Sequence, residues 1–152
     1  MSGQDIIFQV DTPKWKKTGL MPRLKKAARA ALAAGGGKKA ASLTILLSDD
    51  ARLKALNREF RGKNKPTNVL SFPAAAENYM GDIAIAYGVT AEEAKAQGKR
   101  FADHAAHLVV HGVLHLLGFD HERAADAKRM EPLEIKILDR LGIADPYEKA
   151  AG

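Results

Sequence analysis

The chain has 152 residues, 24 Lys and Arg against 18 Asp and Glu for a formal net charge of +6, and no cysteine. That length suits one domain over residues 1–152 with its own hydrophobic core, and the lack of thiols excludes thiolate metal sites, thiol catalysis and disulfides. No stretch approaches the roughly 20 apolar residues of a membrane span and no signal-like run opens the chain, so a soluble, cytoplasmic protein with an anionic partner is expected.

Ile6-Ile7-Phe8-Gln9-Val10 is rich in β-formers and reads as a short strand. Leu20 to Ala34 reads as a helix stopped by Gly35-Gly36-Gly37. Leu43-Thr44-Ile45-Leu46-Leu47 is a buried strand, after which Ser48-Asp49-Asp50 supplies N-cap residues for a helix to about Arg58. Asn68 to Phe72, closed by Pro73, and Gly81 to Ala86 are two further strands. A helical pattern runs from a cap at Thr90 to Leu117, divided at Gly98, and a last helix spans about Glu122 to Leu141 with Pro132 inside it. These elements predict an α+β arrangement with a helix that carries metal ligands packed on the sheet. The basic clusters at Lys14-Trp15-Lys16-Lys17, Arg23-Leu24-Lys25-Lys26 and Lys38-Lys39 read as solvated faces.

All five histidines lie between His104 and His121, and three of them form the pattern H-x3-H-x5-H. On a helix His111 and His115 share one face. Gly118 can turn the chain back and bring His121 to the same point. Three imidazoles on one cation make an open zinc site with water in the fourth position. Zinc peptidases with the same ligand spacing carry a Glu after the first His as general base, but Gly112 stands there and has no group to take a proton. The pattern therefore points to hydrolysis by a metal-acidified water and away from peptidase chemistry.

The histidine segment, extending upstream through His107-Leu108-Val109-Val110-His111 and downstream to Asp120-His121, closely resembles the YbeY family of bacterial metal-dependent endoribonucleases. The resemblance also rests on the run from Leu56-Asn57-Arg58-Glu59-Phe60-Arg61-Gly62 to Ser71-Phe72-Pro73, on Gly81-Asp82-Ile83, and on Met130-Glu131-Pro132-Leu133-Glu134-Ile135. It covers about Leu43 to Leu141, with Asn64 and Asn68 where many relatives carry Asp and with the first forty residues matching only loosely. It implies a small mixed β-sheet of about four strands flanked by helices. It further implies one Zn(2+) per chain on His111, His115 and His121, and Arg61 as the residue tied to activity. The implied work is cleavage of single-stranded RNA in 16S rRNA 3′-end maturation and ribosome quality control, with the ribosome or its small subunit as partner.

Chemically, phosphodiester cleavage builds charge on non-bridging oxygens that a cation and an arginine fork can share. Lys63 and Lys65 add positive potential beside Arg61 and are expected to contact RNA. Asp120 is expected behind the ligands as a partner that orients them, and His107, one helical turn before His111, is such a partner, a phosphate contact or a core histidine. Asp82 has the same option, although a strand-end hydrogen bond is the simpler reading. Two other functions compete: a ribosome assembly factor whose metal is mainly structural, and another zinc hydrolase.

Overall fold

The computed structural model describes residues 5–36, 42–74, 76–119 and 124–147. In chain order the elements are β1 (Ile6–Val10), α1 (Pro13–Lys16), α2 (Met21–Ala34), β2 (Ser42–Ser48), α3 (Asp50–Arg61), β3 (Val69–Pro73), β4 (Tyr79–Ala86), α4 (Tyr87–Ala96), α5 (Phe101–Leu116) and α6 (Ala124–Arg140). The four strands form one mixed sheet in the order β1-β2-β4-β3. β1, β2 and β4 run parallel, and β3 returns antiparallel along the edge of β4.

The period-2 alternation of strand side chains divides the core. Leu43, Ile45 and Leu47 of β2 lie beside Ile83 and Ile85 of β4 on one face. They bury against Leu24 and Leu32 of α2, Val109 and Val113 of α5, and Met130 and Ile137 of α6. On the opposite face Leu70, Ala84 and Ala86 pack under Leu53 of α3 in a much smaller cluster. The helix that carries the histidines is thus fixed between the sheet and two other helices.

Local chemistry explains most boundaries. The Asp49 carboxylate accepts from the Arg52 N–H at 2.8 Å and caps α3. Helix α4 begins at Tyr87, earlier than the cap expected at Thr90, whose buried hydroxyl instead donates back to the Ala86 carbonyl at 2.6 Å. Helix α6 continues through Pro132. The first basic cluster is not simply a solvated face: it forms α1, and although its lysines are exposed, Trp15 is buried and its Nε1 donates to the Ser48 carbonyl at 2.9 Å. Among the described residues no helix is long and apolar enough to cross a membrane.

Candidate metal centre and cleft

Spacings of three, four and four residues put His104, His107, His111 and His115 in a row on one face of α5. The row ends where the chain leaves the helix at Leu117 and Gly118 takes φ +100°, a conformation costly for residues with a Cβ. The His111 and His115 Nε2 atoms face each other 3.2 Å apart. Two ligands at the usual zinc–nitrogen distance on a tetrahedral cation stand about 3.3 Å apart. The pair therefore has the spacing of two ligands of one ion.

Behind this pair lies Glu134 of α6, fully buried. Its Oε1 is 3.3 Å from His111 Nδ1, its Oε2 is 2.7 Å from His107 Nε2, and the Tyr147 hydroxyl donates to the same Oε2 at 3.0 Å. Burial pushes the Glu134 carboxyl up, but hydrogen bonding and electrostatic attraction to His107 and His111 outweigh it and lower the pKa to about 2. Burial and the Glu134 charge push the Tyr147 hydroxyl up, so it remains a donor. With Nδ1–H of His111 given to the carboxylate, the lone pair on Nε2 is turned toward His115, the arrangement that carboxylates impose on ligand histidines.

Among the described residues His107, His111 and Glu134 form a group that could hold a cation, with ligand atoms within 4.8 Å of one another. The 2.7 Å separation of His107 from Glu134 is that of a charge-assisted hydrogen bond and closer than two ligands sit on one zinc. The facing Nε2 pair fits an ion better, with the carboxylate behind it.

His104 has a different partner. Its Nε2 lies 2.9 Å from Glu93 Oε1, which also accepts from Asn68 Nδ2 at 3.0 Å. Burial lowers the His104 pKa, a shift only partly opposed by Glu93. Among the described residues, the buried Nδ1 atoms of His104 and His107 have no partner. A donated Nε2–H makes that atom an acceptor, the less costly group to leave alone.

The facing wall of the cleft comes from the end of α3 and the loop after it. Gly62 takes φ +68° and closes α3, and buried Asn57 donates Nδ2 to the Lys65 carbonyl at 3.0 Å, which ties the loop down. Arg61, Lys63 and Lys65 line the same cavity of about 860 Å³ as His107, His111 and His115. All three cations are exposed, and among the described residues Arg61 makes no salt bridge. A cation-rich wall facing a histidine row suits a polyanion.

Of the residues singled out by sequence, His121 and Asp120 lie outside the described residues. Asp82 sits on the sheet face away from α5, bonded to Tyr79, so it orients none of the histidines of α5. Ser71 is packed: its hydroxyl meets the Gly112 carbonyl at 3.4 Å. A Cβ at Gly112 would stand 2.9 Å from Ile83 Cγ2, so this position points into the sheet, and a Glu there would disrupt packing rather than meet a phosphate.

Sequence reasoning missed Glu134, Glu93 and Tyr147. A signal for Glu134 existed. Met130, Glu134, Ile137 and Leu138 follow helical spacing on the apolar face of α6, and a lone carboxylate on such a face needs donors.

The family model described as "Endoribonuclease YbeY" matches residues 6–142, so the amino-terminal part is included in the match. The chain is 47% identical over 150 residues to an Endoribonuclease YbeY of Chelativorans sp., covering 93% of this chain and 92% of that one. It is 49% identical to that of Parvibaculum lavamentivorans, covering 97% and 86%. The solution structure of a Thermotoga maritima protein superposes with a TM-score of 0.66 at 26% identity, covering 94% of this chain and 99% of that one.

Proposed function

The chain belongs to the YbeY endoribonuclease family, and from that premise we propose that it is a metal-dependent endoribonuclease that cuts single-stranded RNA in the cleft between α5 and the loop after α3. The observation that carries this reading is the facing Nε2 pair of His111 and His115 in one cavity with Arg61, Lys63 and Lys65. The metal is zinc, held by His111, His115 and His121, an all-imidazole set suited to that ion. When bound, the ion would supply a water whose pKa is lowered to about 7 and a positive charge for a phosphate oxygen.

The protein's own groups do the rest. Glu134 holds the His111 ring and its tautomer, and His107 helps hold Glu134. Arg61 offers a planar pair of donors to the oxygens that gain charge, while Lys63 and Lys65 steer the RNA backbone. Binding through phosphates makes affinity fall steeply with salt. The biological substrate is ribosomal RNA, in maturation of the 16S 3′ end and in ribosome quality control, on or near the small subunit in the cytoplasm. Residues 1–152 act as one domain.

The test uses zinc-loaded protein on unstructured oligoribonucleotides. Cleavage should vanish on chelation and in His115→Ala, while casein is left intact. Arg61→Lys should lower kcat roughly tenfold with a smaller change in KM, because charge survives and the fork does not. RNA cleavage that persists in His115→Ala, or casein degradation without RNA cleavage, would overturn the reading.

A further inference from the structure

We propose that the end of the cleft beyond His107 is a second nucleotide subsite, in which the Tyr147 ring stacks on a base of single-stranded RNA while Lys99 meets the adjoining phosphate. The proposal rests on the ribonuclease reading above and extends it to a nucleotide away from the bond that breaks.

Tyr147 is 41% exposed, one of three large hydrophobic side chains so exposed among the described residues, and it lines the same cavity as the histidine row. Its exposure is not that of a loose surface ring. The hydroxyl is tied to Glu134 at 3.0 Å, the backbone N–H to Asp145 Oδ1 at 2.8 Å, and the ring meets His107 at 85° with centroids 5.7 Å apart. The preceding carbonyl, of Pro146, accepts from Lys99 Nζ at 2.8 Å. An aromatic surface held in place before the ligand arrives loses little entropy on stacking.

Position along α5 sets which nucleotide it meets. His107, the ring beside Tyr147, is four residues from His111 and eight from His115, about 6 and 12 Å along the helix axis. A base on Tyr147 is therefore displaced from the phosphate beside the His111–His115 pair. The cavity of about 860 Å³ lies high in the roughly 300–1,000 Å³ range of ligand pockets and has room for more than the reacting phosphate.

The polar groups at this end favour stacking over base reading. Asn68 and Glu93 are tied to each other, and Glu93 to His104. Lys99 uses one of three ammonium donors on Pro146 and keeps others for a phosphate. The Glu93 and Asp145 carboxylates act on Lys99 and weaken the local positive field, so the stack contributes more than the phosphate contact. Every base has a π face, so such a subsite accepts any sequence.

The experiment measures kcat/KM of the zinc-loaded protein on unstructured oligoribonucleotides in which one nucleotide at a time lacks its base. For the wild type, one position near the cleavage site should cost roughly 5- to 150-fold, mainly in KM, the range of base–aromatic stacking. Tyr147→Leu should erase the penalty at that position and keep the penalties elsewhere. Tyr147→Phe should retain it. Both variants lose the hydroxyl to Glu134, so any effect relayed through the metal ligands is common to them and only the ring separates the two. Matching profiles for the Phe and Leu variants, or a wild-type profile in Tyr147→Leu, would overturn the subsite. RNA cleaved with no position-specific penalty removes the subsite alone, whereas a wild type that cleaves no unstructured RNA removes the ribonuclease reading and the subsite with it.

Discussion

In the first half of α5, His104 and His107 each set Nε2 against a carboxylate from another helix, Glu93 or Glu134. In the second half, His111 and His115 set Nε2 against each other at 3.2 Å, beside the open cavity. The residue type, the helix and the face are the same, so the difference comes from what the neighbouring elements supply. Carboxylates occupy the Nε2 atoms of the first pair, and in the second pair Glu134 instead meets His111 through Nδ1. On the proposed reading, the row supplies ligands only where two Nε2 atoms face each other.

The strongest way to break this comparison is to remove the carboxylate that serves both halves. Glu134→Gln keeps the volume but loses the charge and one acceptor, so His111 loses the partner that fixes its tautomer. Zinc affinity should fall about 10- to 100-fold, the usual cost of losing such a partner, as read by competition with a chromogenic chelator. An unchanged affinity would mean that Glu134 supports only the fold.

The opposite side of the same helix makes a smaller, purely steric prediction. Gly112→Ala sets a methyl against Ile83 and should destabilise the fold by about 1–3 kcal/mol in urea unfolding, with zinc content per folded molecule retained. Loss of zinc from the folded variant would show that the two sides of α5 are not separable.

The smallest effect concerns His104. Its folded pKa lies below its ordinary value of 6.5 because burial disfavours the charged ring, with Glu93 only partly offsetting this. The unfolded chain then binds the proton more readily, so stability falls as pH drops through about 6.5 toward the folded value. The melting temperature should decline between pH 7.5 and 5, and His104→Gln should flatten that decline by a few °C. Identical slopes in the two proteins would remove His104 as a cause.

The strands and the ends of most helices were legible because apolar runs, Gly breaks and the Asp49 cap act locally. The three-histidine spacing was equally local. Four features were not: the burial of Trp15 within a run of lysines, the start of α4 before Thr90, and the pairing of Glu93 and Glu134 with histidines 11 and 27 residues away. Each depends on which elements pack together. The role of Gly112 shows the same limit. Sequence reasoning noticed that no general base stands there, whereas the fold shows a position closed by Ile83.

The division of the histidine row is tested most directly by the imidazole nitrogens themselves. Long-range 1H–15N NMR spectra would be recorded on zinc-free protein and again with one equivalent of zinc. The Nε2 resonances of His111 and His115 should move to metal-bound positions, while those of His104 and His107 remain those of Nε2–H donors. A metal-bound shift at His107 Nε2, with His115 unchanged, would contradict the account and move the ion to the His107–Glu134 side of the row.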